Sequence, residues 1–301
     1  MRFVGIFNKD GGTFRTMDIP AFCAEAEAIF AAHGHQLDCR SVAGKDLIAA
    51  LERAAGEPGT EALLVGGGDG TASSAAEVAF RRQLPLAVLP GGTMNLFARA
   101  LGIPLDLQAA LTALAAGRLE HVDIATANNV PFVHQFGVGV HARLVRIRDG
   151  MIYHSRIGKM LASLRAVVAT IIKPLRFDVE IETPEGVQRL RSSGIAVSNN
   201  PIGEGHVPHA DRLDAGVLGL YVAKPMSSLH LVKLLIAVVL GRWKWIAEVS
   251  DREAQHVVLR FPRNKASSQA VIDGELVNLE DLVDIRIHPG ALPVIMPAAA
   301  G

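Results

Sequence analysis

The run Gly66-Gly67-Gly68-Asp69-Gly70-Thr71 constrains this chain more than any other feature, because it joins an apolar, strand-like segment to one of helical pattern. Glycines at such a junction let the main chain turn tightly and approach a ligand, and the free amides at the start of the next helix attract phosphate. The run is not the dinucleotide fingerprint, because Thr71 stands where its last glycine belongs, and no Gly-Lys-Ser/Thr supplies a P-loop. Taken alone, it reads equally well as a plain turn.

The surrounding pattern decides the fold class. Arg2 to Phe7, Glu61 to Gly66 and Leu84 to Leu89 are short apolar runs closed by turn residues and are read as buried strands. Helices are expected between them. The first has Pro20 near its start, Phe22, Ala26, Ile29 and Phe30 on one face and Gly34 as its stop. Thr71 is expected to cap a second that runs to about Arg82. A third is expected from near Thr93 to before Gly102 and Pro104, and a fourth over Leu107 to Ala116. Strands alternating with helices imply a largely parallel, doubly wound sheet.

After Asp123 the segments Arg176 to Glu182, Gly194 to Ser198, Val217 to Val222, His256 to Phe261, Ala270 to Ile272 and Val283 to His288 alternate or are β-branched. They point to a second, mainly antiparallel domain, interrupted by helices near Arg156 to Ile172 and Ser227 to Val249. A chain of 301 residues has room for two cores.

Two further segments carry chemistry. Pro90-Gly91-Gly92-Thr93-Met94-Asn95-Leu96-Phe97-Ala98-Arg99 follows the next strand. Loops at strand carboxyl ends line the ligand crevice of such a sheet, so two glycine-rich loops can converge on one ligand. The plainer reading is that Thr93 or Asn95 caps a helix. Far downstream, Asp273-Gly274-Glu275 sets two carboxylates across a glycine at a strand end. Phosphoryl transfer to an alcohol needs a carboxylate to accept the hydroxyl proton, although such a tripeptide is also an ordinary hairpin turn.

Together these motifs resemble the diacylglycerol kinase catalytic-domain family, which includes bacterial lipid kinases and the related sphingosine and ceramide kinases. The likeness also takes in the opening loop Asn8 to Thr13, Asp123, Asn199 to Gly216 and the closing Pro289-Gly290-Ala291-Leu292-Pro293-Val294. It implies an α/β nucleotide domain like that of NAD kinases and phosphofructokinases over residues 1–123, with 289–301 returning to it. A β-rich sandwich domain for the lipid would span 124–288, with the active site in the cleft between. By this resemblance Asn8, Gly12, Thr13, Ser41, Gly67, Gly68, Asp69, Gly70, Thr71, Gly92, Thr93 and Asn95 face ATP. Asp69 and Asp123 organise Mg2+, and Asp273 and Glu275 are the catalytic carboxylates, with the choice of base left open. The implied activity is transfer of the γ-phosphate to the hydroxyl of a membrane lipid such as diacylglycerol, ceramide or a sphingoid base. Two positions depart from the family pattern: Leu96 where an aspartate is common, and Ala215 where a second aspartate often contributes to a structural magnesium site.

Composition bears on partners. Thirty basic and thirty acidic residues cancel, so no global field draws nucleic acid, and recruitment to an anionic membrane has to be local. The local excess is Arg143, Arg146, Arg148, Arg156, Lys159, Arg165, Lys173 and Arg176, against Asp149 alone. Arg242-Trp243-Lys244-Trp245 adds an interfacial pattern beside an apolar helix, which otherwise reads as a core helix with a solvated end. Two cysteines are too few for a disulfide framework, and Asn8, Lys9 and Asp10 interrupt the N-terminal apolar run before a signal core can form. A cytoplasmic protein, peripherally associated with the inner face of the membrane, is the expectation, with a homodimer through an exposed edge strand left open. His206 and His209 read as loop histidines rather than metal ligands. Competing functions are a kinase of soluble substrates like NAD kinase, which shares Gly-Gly-Asp-Gly-Thr, and a non-catalytic nucleotide- or lipid-binding protein.

Overall fold

The computed structural model describes residues 1–149, 176–203, 209–239, 249–262 and 269–298. β1 (Arg2–Asn8), β3 (Ala62–Gly67) and β4 (Leu86–Pro90) are buried along almost their whole length, as strands covered on both faces must be. With β2 (Gln36–Val42) they form a parallel array in the order β2-β1-β3-β4. β2 has no apolar run to mark it as a strand, because Gln-Leu-Asp-Cys-Arg-Ser-Val is mostly polar, which suits its place at the sheet edge.

α1 (Ile19–Ala32) starts where the Asp18 carboxylate accepts from the Ala21 amide at 3.2 Å, and it buries Phe22, Ala26 and Phe30 on one face. Gly34, at φ +77°, ends it in the left-handed conformation. α2 (Leu47–Gly56), also unread in the sequence, and α3 (Asp69–Arg82) pack together, while α5 (Leu107–Ala115) packs on α1.

Two helix starts differ from expectation. α3 begins at Asp69 with Gly68 as its N-cap, so Thr71 lies inside its first turn rather than capping it. α4 is only Leu96–Ala100, because Asn95 sits at φ +52° and its side-chain amide closes a turn on both the amide and the carbonyl of Gly92. Thr93 lies within that turn and cannot begin a helix.

The second domain is a β-sandwich, as expected. β5 (Arg118–Ala127), β6 (Val130–Phe132), β8 (Phe177–Thr183), β9 (Gly186–Ser192), β13 (His256–Arg260) and β16 (Leu282–Met296) extend the first sheet to ten strands. β7 (Gln135–Gly139), β10 (Gly194–Asn199), β11 (Leu218–Ala223), β12 (Val249–Ala254), β14 (Gln269–Ile272) and β15 (Glu275–Asn278) form a separate antiparallel sheet. Phe136, Val138, Val197 and Leu220 from this sheet meet Val179, Ile181, Val257 and Ile285 from the other in one core.

β16 stitches the halves together. Its first part pairs with β13, its register against β5 shifts between His288 and Leu292, and Val294 then pairs in parallel with Leu86 of β4. Core membership changes along with it, since Ile285 and Ile287 belong to the sandwich core whereas Leu292, Val294 and Ile295 belong to the α/β core.

α6 (Val140–Asp149), which the sequence reading does not anticipate, follows β7, and α7 (Ser228–Val239) follows β11. The helix expected over 156–172, both tryptophans, His206, and the basic residues Arg156, Lys159, Arg165 and Lys173 lie outside the described residues. Among the described residues, no helix is long and apolar enough to cross a membrane.

Candidate active site

Three loops of the α/β domain meet at the carboxyl ends of β1, β3 and β4. The Thr13 amide donates to the Gly91 carbonyl at 2.8 Å, and the Gly91 amide donates to the Gly67 carbonyl at 2.7 Å. Asn8 donates its side-chain amide to Thr71 Oγ1 at 3.1 Å. Gly68 and Gly92 face each other so closely that a Cβ on Gly92 would lie 2.7 Å from the Gly68 Cα. Gly12, at φ +50°, packs its backbone against the Gly91 carbonyl.

Asp69 locks this arrangement. Its Oδ2 accepts from the Asn95 amide at 3.0 Å and its Oδ1 from the Leu96 amide at 2.6 Å, which ties the second glycine loop to the first. No side chain caps α3 at Gly68, so the first-turn amides of a 14-residue helix open onto the cradle. Ser41 stands one strand away, in register with Phe7 on β2.

The other wall comes from the β14–β15 hairpin. Asp273 and Gly274 have φ of +46° and +87°, the two left-handed residues of a tight hairpin turn. Asp273 Oδ1 accepts from the amides of His134 and Gln135, each at 2.9 Å. Its Oδ2 accepts from the Val133 amide at 2.9 Å and from Ser73 Oγ at 2.7 Å. Glu275 is exposed, and its Oε1 lies beside Gly70 at the start of α3. The turn of the second domain therefore rests on the helix that opens the phosphate cradle.

Asp123 lies elsewhere in the frame. Its carboxylate is 2% exposed and accepts from Asn200 Nδ2 at 2.6 Å, the Gly216 amide at 2.6 Å and the Gly290 amide at 2.9 Å. Asp214 is largely exposed and paired with Arg212. Among the described residues, no three His, Cys, Asp or Glu side chains cluster as a metal site. Asp69 nonetheless fits a role toward magnesium: it is half-buried at the mouth of the cradle, and each oxygen has given only one acceptor position to an amide. Asp123, buried beneath three N–H donors, does not present its carboxylate in that way.

Two groups escape the sequence reading. Ser73 carries no motif signal and is found only through a contact 200 residues away in the chain. His134 lies within electrostatic reach of Asp273, Asp69 and His209, and burial pushes its imidazole below the ordinary histidine range, against the opposing pull of the two carboxylates.

Comparison with known proteins matches residues 2–127 to the diacylglycerol kinase catalytic domain and residues 135–296 to the YegS C-terminal NAD kinase beta sandwich-like domain. A protein of Mycobacterium tuberculosis named diacylglycerol kinase is 27% identical over 288 residues, covering 90% of this chain and 91% of that one. An uncharacterized protein of Synechocystis is 26% identical over 260 residues, 82% of this chain but only 57% of the relative, so the chain spans little more than half of that protein. A crystal structure titled as a diacylglycerol kinase from Bacillus anthracis superposes with a TM-score of 0.70 at 18% identity, covering 100% of this chain and 98% of that one, a likeness of fold.

Proposed function

The chain belongs to the diacylglycerol kinase catalytic-domain family, and from that membership we propose that it transfers the γ-phosphate of ATP to the hydroxyl of a membrane lipid, with diacylglycerol the first candidate ahead of ceramide or a sphingoid base. The observation that carries this reading is the landing of the Asp273-Gly274-Glu275 turn on the first turn of α3. It brings two carboxylates from one domain to the anion cradle of the other.

In this reading the uncapped amides of α3 and the apposed glycine loops hold the polyphosphate. Asp69 would hold magnesium there, which neutralises phosphate charge as the bridging oxygen leaves with ADP. Asp273 or Glu275 accepts the proton of the lipid hydroxyl as its oxygen bonds to phosphorus. Asp123 fastens β5 to the segments around Asn200, Gly216 and Gly290, which carry the sandwich domain.

Lipid is favoured over a soluble acceptor by α7, where Leu229 and Ile236 are 64% and 55% exposed and lie seven positions apart on one face. Exposed apolar side chains on a helix suit contact with a bilayer surface. Peripheral membrane association at the cytoplasmic face is the corresponding proposal.

The test is transfer of labelled γ-phosphate from ATP and magnesium into a total lipid extract, comparing wild type with Asp273→Asn. A labelled lipid made by wild type alone supports the reading and identifies the acceptor. No labelled lipid from folded protein, beside an active control kinase, rejects it in favour of a soluble acceptor or a binding role.

A further inference from the structure

Of the four hydrogen bonds that Asp273 accepts, three come from the amides of Val133, His134 and Gln135, which belong to the strand region beside its own hairpin. The fourth, from Ser73, is the one that crosses to α3. Ser73 lies three residues after Gly70, so both project from the same side of the first turns of the helix. Gly70 faces the second carboxylate: a Cβ built there would lie 3.2 Å from Glu275 Oε1. One face of one helix thus receives both carboxylates, the first through a hydroxyl and the second through a gap.

We infer that Ser73 is a positioning residue for phosphoryl transfer: its hydroxyl sets the distance between the carboxylate turn and the helix start that cradles phosphate, with Gly70 leaving room for Glu275. The inference rests on the kinase reading and adds to it a residue that no motif marks. The three amides hold the turn in its own sheet whether or not Ser73 carries a hydroxyl, so removing the hydroxyl leaves the turn folded. What it frees is the placement of the turn against α3. Misplacement of reacting groups lowers the rate of the chemical step while leaving binding to the untouched nucleotide loops intact.

The experiment compares wild type, Ser73→Ala, Ser73→Thr, Asp273→Asn and the Ser73→Ala/Asp273→Asn double variant, in lipid phosphorylation with varied ATP and in thermal unfolding. Ser73→Ala is expected to lower kcat about tenfold with KM for ATP within about twofold of wild type. Ser73→Thr, which keeps the hydroxyl, recovers most of the rate. In unfolding, Ser73→Ala shifts the midpoint by less than half as much on the Asp273→Asn background as it does alone, because the charged oxygen that accepts its hydroxyl is already replaced by a neutral amide. A kcat for Ser73→Ala within about twofold of wild type, or a loss carried by KM for ATP, overturns the inference. If wild type transfers no phosphate, the kinase reading fails first, and the unfolding cycle still decides the contact: shifts that simply add show that Ser73 does not hold Asp273.

Discussion

Asn200 donates its side-chain amide to the Asp123 carboxylate at 2.6 Å, and neither residue is more than 2% exposed. With the Gly216 and Gly290 amides on the same carboxylate, Asp123 gathers four segments far apart in sequence. A buried carboxylate is tolerable because these donors replace water. Asp123→Ala leaves the donors without an acceptor and is expected to cost about 3 kcal/mol or more in unfolding free energy. Urea denaturation measures it, and an unchanged midpoint would remove Asp123 from the frame.

The close approach of Gly68 and Gly92 makes a second prediction. Gly92→Ala forces one glycine loop away from the other, since the added Cβ would meet backbone rather than a flexible side chain. The cradle should widen with little effect on the core, because Gly92 is only half-buried, at the tip of its loop. The expected result is a rise of about tenfold in KM for ATP with kcat reduced less, as lost ground-state binding produces. Steady-state kinetics at fixed lipid and varied ATP check it.

Legibility in the sequence followed the length scale of the interaction. β1, β3 and β4 were readable because buried parallel strands are continuous apolar runs, and the face formed by Phe22, Ala26 and Phe30 was readable because it repeats every four residues. β2 and β12 were not, since an edge strand such as Val-Ser-Asp-Arg-Glu-Ala keeps one side in water and its side chains show no apolar stripe. The glycine loops announced a cradle, yet the helix starts at Thr71 and Thr93 were misplaced. Gly68, extended at the N-cap, decides the first start, and the left-handed Asn95, whose amide and that of Leu96 are held by Asp69, decides the second. Ser73, Asp273 and His134 become a group only when the second sheet closes on α3, which no local pattern encodes.

His134 gives the pH dependence. Burial holds its folded-state pKa below the unfolded value of about 6.5. Between those two values the unfolded chain binds more protons, so this contribution to stability is intact above about pH 6.5 and is lost as pH falls toward the folded-state pKa. Denaturant midpoints at pH 7.5 and at lower pH should therefore converge more for His134→Gln than for wild type. An equal acid-side loss in both proteins assigns the dependence to other groups.

On α7, Leu229 and Ile236 gain nothing from the core as placed, so exchanging both for aspartate should leave the unfolding midpoint nearly unchanged. Flotation with vesicles containing anionic lipid should fall at least severalfold, because two apolar contacts are replaced by like-charge repulsion. Undiminished flotation of Leu229→Asp/Ile236→Asp places membrane contact elsewhere on the protein.

The two carboxylates of the hairpin turn should separate under conservative substitution. Every oxygen of Asp273 already accepts two hydrogen bonds, and converting Oδ2 to an amide turns an acceptor for the Val133 amide and the Ser73 hydroxyl into a donor. Asp273→Asn is therefore expected to lose about 1 to 3 kcal/mol of stability as well as activity. Glu275 is exposed, and Glu275→Gln should unfold at the wild-type midpoint while losing about 100-fold or more in phosphoryl transfer, the usual scale of a missing general base. Assays well below the unfolding temperature of either variant keep the two effects apart. If Glu275→Gln retains its rate and Asp273→Asn does not, the proton passes to Asp273, which must then release one of its four donors during turnover.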